Sequence, residues 1–161
     1  MMKFACLLCG SVLSLLAAAQ DVSAPSGFQH WTPSSLNQIG QTLDSNAVTD
    51  PHKFAVQQLA DFPNEAVLLV HRMADGQPEW HETQVDVIWV QSGSATLLVG
   101  GTLINGETVA PHEKRNGSIQ GGIREKLGPG DIVRIPSRTP HQILLAGSKE
   151  FSYVVVKVKG Y

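Results

Sequence analysis

Two segments of this chain carry histidine and carboxylate side chains, the types that ligate transition metals or move protons. The first runs Glu79-Trp80-His81-Glu82-Thr83-Gln84-Val85-Asp86, followed by Val87 to Ser92 and then Gly93. Strand alternation puts Glu79 and His81 on one face, and Asp86 rejoins that face if the residues between them bend or bulge. The second runs from Gly130 to His141, where a turn bounded by Pro136 and Pro140 delivers His141 to the start of a strand. Ile143 and Leu145 then take the next inward positions. A single histidine on a strand is usually packed or hydrogen-bonded, so any chemistry depends on the elements that would bring these segments together.

Those elements read as β. From Lys53 onward the chain breaks into short apolar or alternating runs: Phe54–Leu59, Ala66–Met73, Val85–Gln91, Ala95–Val99, Asp131–Ile135, His141–Leu145 and Phe151–Val158. Turn residues separate them, as in Ala74-Asp75-Gly76, Ser92-Gly93-Ser94 and Gly128-Pro129-Gly130. Seven such runs predict an all-β sandwich or barrel over residues 53–161. Thr102 to Leu127, rich in glycine, is expected to be a long loop or an extra hairpin, serving as a lid or a plain insertion. In the last run the face carrying Val154, Val156 and Val158 is expected to point inward. Before the barrel, residues 20–52 read as a polar lead-in and one short helix. Thr32-Pro33 supplies its N-cap and first turn, Leu36, Ile39 and Leu43 its apolar stripe, and Asp44-Ser45-Asn46 its end. That helix is expected to be a strut against the barrel.

The two segments resemble the motifs of the cupin superfamily, G-x5-H-x-H-x(3,4)-E-x6-G and G-x5-P-x-G-x2-H-x3-N. Asp86-x6-Gly93 matches the tail of the first, His81 falls where its second histidine stands, and Glu79 takes the place of the first histidine. In the second, Gly130-x5-Pro136 and the step to His141 match, while Arg138 replaces the inner glycine and Leu145 the asparagine. The resemblance covers roughly residues 66–158. It implies a small single-domain bacterial cupin, a double-stranded β-helix or jelly-roll barrel. It also implies one divalent transition metal held by His81, Asp86 and His141, with Glu79 as fourth ligand or catalytic general base. Two imidazoles and two carboxylates suit Fe, Mn, Zn or Ni without choosing among them. Asp86 is one methylene shorter than the family's glutamate, a retreat of about 1.5 Å.

Other conspicuous residues receive plainer readings. His71 either lines the same cavity or is an ordinary partly buried histidine. His30, His52 and His112 fall in loops and are expected at the surface. Trp80 and Trp89 have the parity of the outer face, Trp89 packing under the helix or a partner subunit. Asp131 fixes a turn. Arg138 is either a solvated arginine or a clamp for a substrate carboxylate at the barrel rim.

Composition and the N-terminus narrow the class. Of 161 residues, the first 19 read as a secretory signal peptide: Lys3, the apolar run Phe4–Leu16, then Ala17-Ala18-Ala19, with cleavage before Gln20. A lipid-anchored reading at Cys9 meets a bulky Leu8 where a small residue is needed. Both cysteines, Cys6 and Cys9, lie in this leader, so a periplasmic or secreted product would fold without disulfides. The remaining 142 residues carry 11 Lys+Arg against 14 Asp+Glu. With no basic stripe, a nucleic-acid partner is not expected, and a membrane surface after leader removal is no better supported. The expected partner is a small-molecule ligand or substrate. Three readings follow: a metal-dependent cupin enzyme of dioxygenase, decarboxylase or isomerase type, a non-catalytic cupin that binds a small ligand or metal, and a structural subunit. In the last, outward Phe151, Tyr153 and Trp89 would pair two copies in a homodimer.

Overall fold

The structure, a computed structural model, describes residues 23–161; the leader expected at 1–19 lies outside them. Helix α1, Pro33–Thr49, begins as its sequence dictates. Thr32 Oγ1 accepts the Ser35 N–H at 3.1 Å, and Pro33 occupies the first helical position. It runs past its expected end at residues 44–46 because Ala47, one turn after Leu43, is fully buried on the same face. Leu43 and Ala47 pack on Ala55 and Leu69 of the sheet beneath, with Leu36, Ile39 and Val154 at the margin. The helix is the strut expected.

Thirteen strands follow: β1 Phe54–Phe62, β2 Glu65–Arg72, β3 Glu79–His81, β4 Gln84–Gly93, β5 Ala95–Val99, β6 Thr102–Ile104, β7 Glu107–Ala110, β8 Glu113–Arg115, β9 Ser118–Gln120, β10 Ile123–Leu127, β11 Ile132–Ile135, β12 His141–Leu144 and β13 Phe151–Lys159. They form a five-stranded sheet in the order β1-β2-β13-β4-β11, a six-stranded sheet in the order β10-β5-β12-β3-β8-β7, and a small two-stranded sheet, β6-β9. All pairings are antiparallel. One apolar core joins the two large sheets, with Phe151, Leu97, Ile135 and Val90 its largest fully buried side chains. Each contributes about 1.5–3 kcal/mol by leaving water. Among the described residues, no helix is long and apolar enough to cross a membrane.

Three sequence expectations need correction. Thr102–Leu127, expected as a long loop or an extra hairpin, is more than either: β6 and β9 pair as a small sheet, β7 and β8 extend the second sheet, and β10 pairs with β5 inside it. These strands are three to five residues long and mostly exposed, too short and polar for an apolar pattern to reveal. The faces of β13 are also reversed. Phe151, Tyr153 and Val155 point into the core, whereas Val154 packs with the cluster under α1. Both faces of the strand are apolar because the helix covers the outer one, so alternation could not tell inside from outside. That reversal removes the dimer surface read from this strand, since Phe151 is 0% and Tyr153 5% exposed. Trp89 does lie on the outer face, but at 51% exposure it is not under the helix.

The motif positions have physical reasons. Gly93 ends β4 with φ +75°, and a Cβ there would lie 2.2 Å from the Glu150 carbonyl oxygen, so only glycine fits. Arg138 sits at φ 59°, a left-handed conformation at the position where the cupin motif has glycine. Its backbone N–H donates to the His81 carbonyl at 2.7 Å, and its side chain is exposed. Arg138→Gly is therefore expected to raise the unfolding free energy by about 0.5–1 kcal/mol, read as a higher urea midpoint, the left-handed cost exceeding glycine's entropy. A lower midpoint would refute it.

Candidate metal centre

The site is built where the two large sheets meet. On the second sheet, β3 and β12 are neighbours with His141 opposite Glu79, and His81 follows two residues along, facing the same way. Asp86 arrives from the first sheet, because Glu82 and Thr83 carry the chain from β3 to β4. No bulge within one strand is needed: the break between two strands restores the parity. Asp86 in turn lies directly opposite Lys157 of β13, which places both side chains on the inner face.

Glu79, His81, Asp86 and His141 each offer a ligand atom, and these atoms lie within 4.8 Å of one another. Asp86 Oδ2 is 3.5 Å from His81 Nε2 and 3.6 Å from His141 Nε2, and Glu79 Oε2 is 3.5 Å from His81 Nε2. The two imidazole centroids are 5.4 Å apart. Donors about 2.1 Å from one ion in tetrahedral array are separated by about 3.4 Å, so these edges suit a single transition ion. His141 is prepared for ligation by its other nitrogen. Nδ1 lies 3.0 Å from the Thr139 carbonyl, which can only accept, so Nδ1 carries a proton and Nε2 is the nitrogen turned toward Asp86.

Sequence reasoning missed the cations around this cluster. Lys157 Nζ lies 3.2 and 3.0 Å from the two Asp86 oxygens and 3.4 Å from His81 Nε2. Arg72 and Arg115 approach the two Glu79 oxygens at 3.7 and 3.8 Å. Arg72 is further held by the Tyr153 hydroxyl at 3.2 Å and by the Phe54 ring at 4.5 Å. A lysine interrupting a valine run was the available signal for Lys157, concealed by the wrong choice of inner face. Arg115 sits opposite Glu79 in the segment read as a long loop or an extra hairpin. The cluster opens on a cavity of about 310 Å³ whose wall includes Val70, Ile88, Ile143 and Val155.

The remaining residues lie elsewhere. His71 faces outward beneath α1, hydrogen-bonded to Ser152. His112 is exposed and paired with Glu82 at 2.8 Å, and His30 and His52 are exposed. Trp80 lies under Lys114, and Arg138 shares a shallow groove with both, away from the cluster. Asp131 accepts the Gly128 N–H at 2.8 Å and fixes the turn.

Charge organises the cluster. Burial alone would raise Glu79, but contact with His81 and the charges of Arg115 and Lys157 outweigh it and bring the carboxyl to about 2. Burial likewise works against ionised Asp86, yet His141, His81 and Lys157 hold it well below the usual carboxylate range. Burial disfavours the His81 cation, and its contacts with Asp86 and Glu79 overcome this and raise it. The carboxylates thus stabilise the fold fully above about pH 4, and that contribution is lost as pH falls through the folded values; His81 contributes fully below about pH 6.5 and loses its share as pH rises through its raised value. Chelator-treated protein is expected to melt highest between about pH 4 and 6.5. Added zinc requires the neutral ring, so its stabilisation should grow toward about pH 8. Melting curves across pH, with and without chelator, check this. Chelated protein still gaining stability through the alkaline range would contradict it.

No model of a known protein family matches the sequence, and no curated protein matches it. Solved structures do. The TT1209 protein of Thermus thermophilus aligns with a TM-score of 0.51 at 16% identity, over 68% of this chain and 87% of its own. An uncharacterised conserved protein with a double-stranded β-helix domain from Klebsiella pneumoniae subsp. pneumoniae aligns with a TM-score of 0.50 at 19% identity, over 66% of this chain and 77% of its own. At such identities the likeness is one of fold: the chain has the cupin, or double-stranded β-helix, architecture.

Proposed function

We propose, with the cupin fold as premise, that this chain is an exported metal-dependent enzyme acting on a small oxygenated organic molecule. His81, Asp86 and His141 would hold a divalent Fe, Mn, Zn or Ni ion, and Glu79 would serve as fourth ligand or general base. The observation that carries this reading is the meeting of four donors from β3, β4 and β12 beside a cavity of about 310 Å³. A bound ion would supply Lewis acidity or an acidified water. Around it, Arg72, Arg115 and Lys157 favour oxygen-rich, negatively charged groups, and the apolar wall excludes water from their partners. Glu79 is held ionised, and with its carboxyl brought to about 2 it is a weak proton acceptor, which favours the ligand role over the general base. Dioxygenation, decarboxylation, isomerisation and hydrolysis all remain compatible, because fold selects none of them. Export rests on the apolar leader and the absence of cysteine after it.

A second reading, non-catalytic capture of a ligand or metal, is favoured by one feature. The Lys157 ammonium already contacts Asp86 and His81, as a cation built into the site would. Solvent proton relaxation separates the two. An enzyme needs a coordination position open to exchange, so manganese-loaded protein should enhance water relaxation, and small carboxylates should suppress the effect. Manganese bound without exchangeable water would exclude the catalytic reading and leave the binding one.

A further inference from the structure

We propose a second metal site on the outside of the barrel, where α1 crosses the first sheet, with Asp44, His71 and Glu150 as ligands to a divalent ion of the zinc or manganese kind. It is independent of the barrel mouth, because His71 points away from it. Leu68, Val70 and Arg72 of β2 line the inner cavity, while Leu69 and His71 alternate to the outer face.

The observation that demands a ligand is the state of His71. The residue is 4% exposed, and its Nε2 is buried without a hydrogen-bond partner among the described residues. Asp44 Oδ1 lies 3.5 Å from that nitrogen, the edge length found between ligands of one ion rather than a good hydrogen bond. Such an orphaned polar atom carries an appreciable desolvation penalty unless something outside the chain satisfies it. The other ring nitrogen explains the orientation. Ser152 stands opposite His71 in the β2–β13 register, and its Oγ is 2.6 Å from Nδ1. The Ser152 hydroxyl can accept from Nδ1–H, and in that tautomer Nε2 presents a lone pair to the space under the helix, with the supporting hydrogen bond typical of a metal-bound histidine.

The surroundings fit a cation. Ligand atoms of Asp44, His71 and Glu150 lie within 4.8 Å of one another. They border a cavity of about 250 Å³ whose other polar walls include Gln41, Gln91 and Ser92. Two carboxylates balance a dication, and one imidazole with two oxygens suits zinc or manganese. Three protein ligands leave room for water. Asp44 comes from α1, His71 from β2 and Glu150 from the turn before β13, so the ion would clip the helix to the sheet beside the cluster of Leu43, Ala47, Ala55 and Leu69.

Counting zinc equivalents by equilibrium dialysis of the folded chain tests the site. With free zinc held near the unsubstituted site's own dissociation constant, Asp44→Asn is expected to weaken binding about 100-fold and so remove this site's zinc from the count, whatever the barrel mouth binds. His81→Ala with His141→Ala should leave that equivalent in place, which separates this site from the proposed catalytic one. Asp44 is exposed, so its substitution leaves the core intact. Ring-nitrogen resonances of His71 in the unsubstituted protein supply a second readout and should shift on zinc addition. An unchanged count in Asp44→Asn, or His71 signals indifferent to zinc, would overturn the proposal.

Discussion

Lys157→Met is expected to tighten binding of a divalent ion at the barrel mouth by about 10- to 100-fold, a gain of about 1.4–2.7 kcal/mol. The ammonium lies 3.0 Å from Asp86 Oδ2 and 3.4 Å from His81 Nε2, within the space an ion would share. To admit an ion the lysine must give up these contacts and withdraw. A unit charge and a dication about 4 Å apart at an effective dielectric of 20 repel by about 8 kcal/mol, and a flexible four-carbon stem allows most of that to be relieved. Methionine keeps the apolar stem and removes the charge. Competition against a chelator of known affinity, at one pH, measures the effect. Equal or weaker binding by the variant would mean that Lys157 helps to hold the ion's surroundings instead of opposing it.

Asp86→Ala is expected to cost chelator-treated protein roughly 3–5 kcal/mol. Asp86 is 4% exposed and is the common partner of Lys157, His81 and His141. Its removal strips Lys157 of its paired carboxylate and leaves His81 only Glu79 at 3.5 Å, and stranding charge in this way is more damaging than loss of the attraction itself. Urea unfolding at about pH 6 is the measurement, where the raised His81 is still protonated. If Lys157 is the stranded charge, adding Lys157→Met should recover part of the loss, and the double-mutant cycle isolates the pair. A loss below about 1 kcal/mol would show that the cluster contributes little to the fold.

What the residues disclosed and what they hid follows from how each position is determined. The strands of the inner sheets were readable because Val85–Gln91 and Ala95–Val99 are long enough for turn residues and apolar runs to mark them. His81, Asp86 and His141 were singled out as a set through their resemblance to the cupin motifs, whose spacing to Gly93 and Pro136 they share. Lys157 was not, although it touches the same carboxylate. Its orientation depends on the register of β13 against β4, a long-range pairing that leaves no local trace when Val154 and Val155 are both covered. Arg72 and Arg115 were missed for a related reason: a charge on an exposed strand and a charge at a cavity look alike in sequence. His71 was left between two readings, and only the placement of α1 over β2 turned its ring outward into a pocket of its own. The helix's extra turn through Ala47 belongs to the same class, since tertiary burial rather than propensity sustains it.

The central claim is that one ion touches the imidazoles of both His81 and His141. Metal analysis by mass spectrometry, on protein purified without a nickel column, tests it when the chain is compared with its His81→Ala plus His141→Ala variant. The expected result is a loss of about one equivalent per chain in the variant, with the fold retained by circular dichroism. An identical metal count in the two proteins would contradict it.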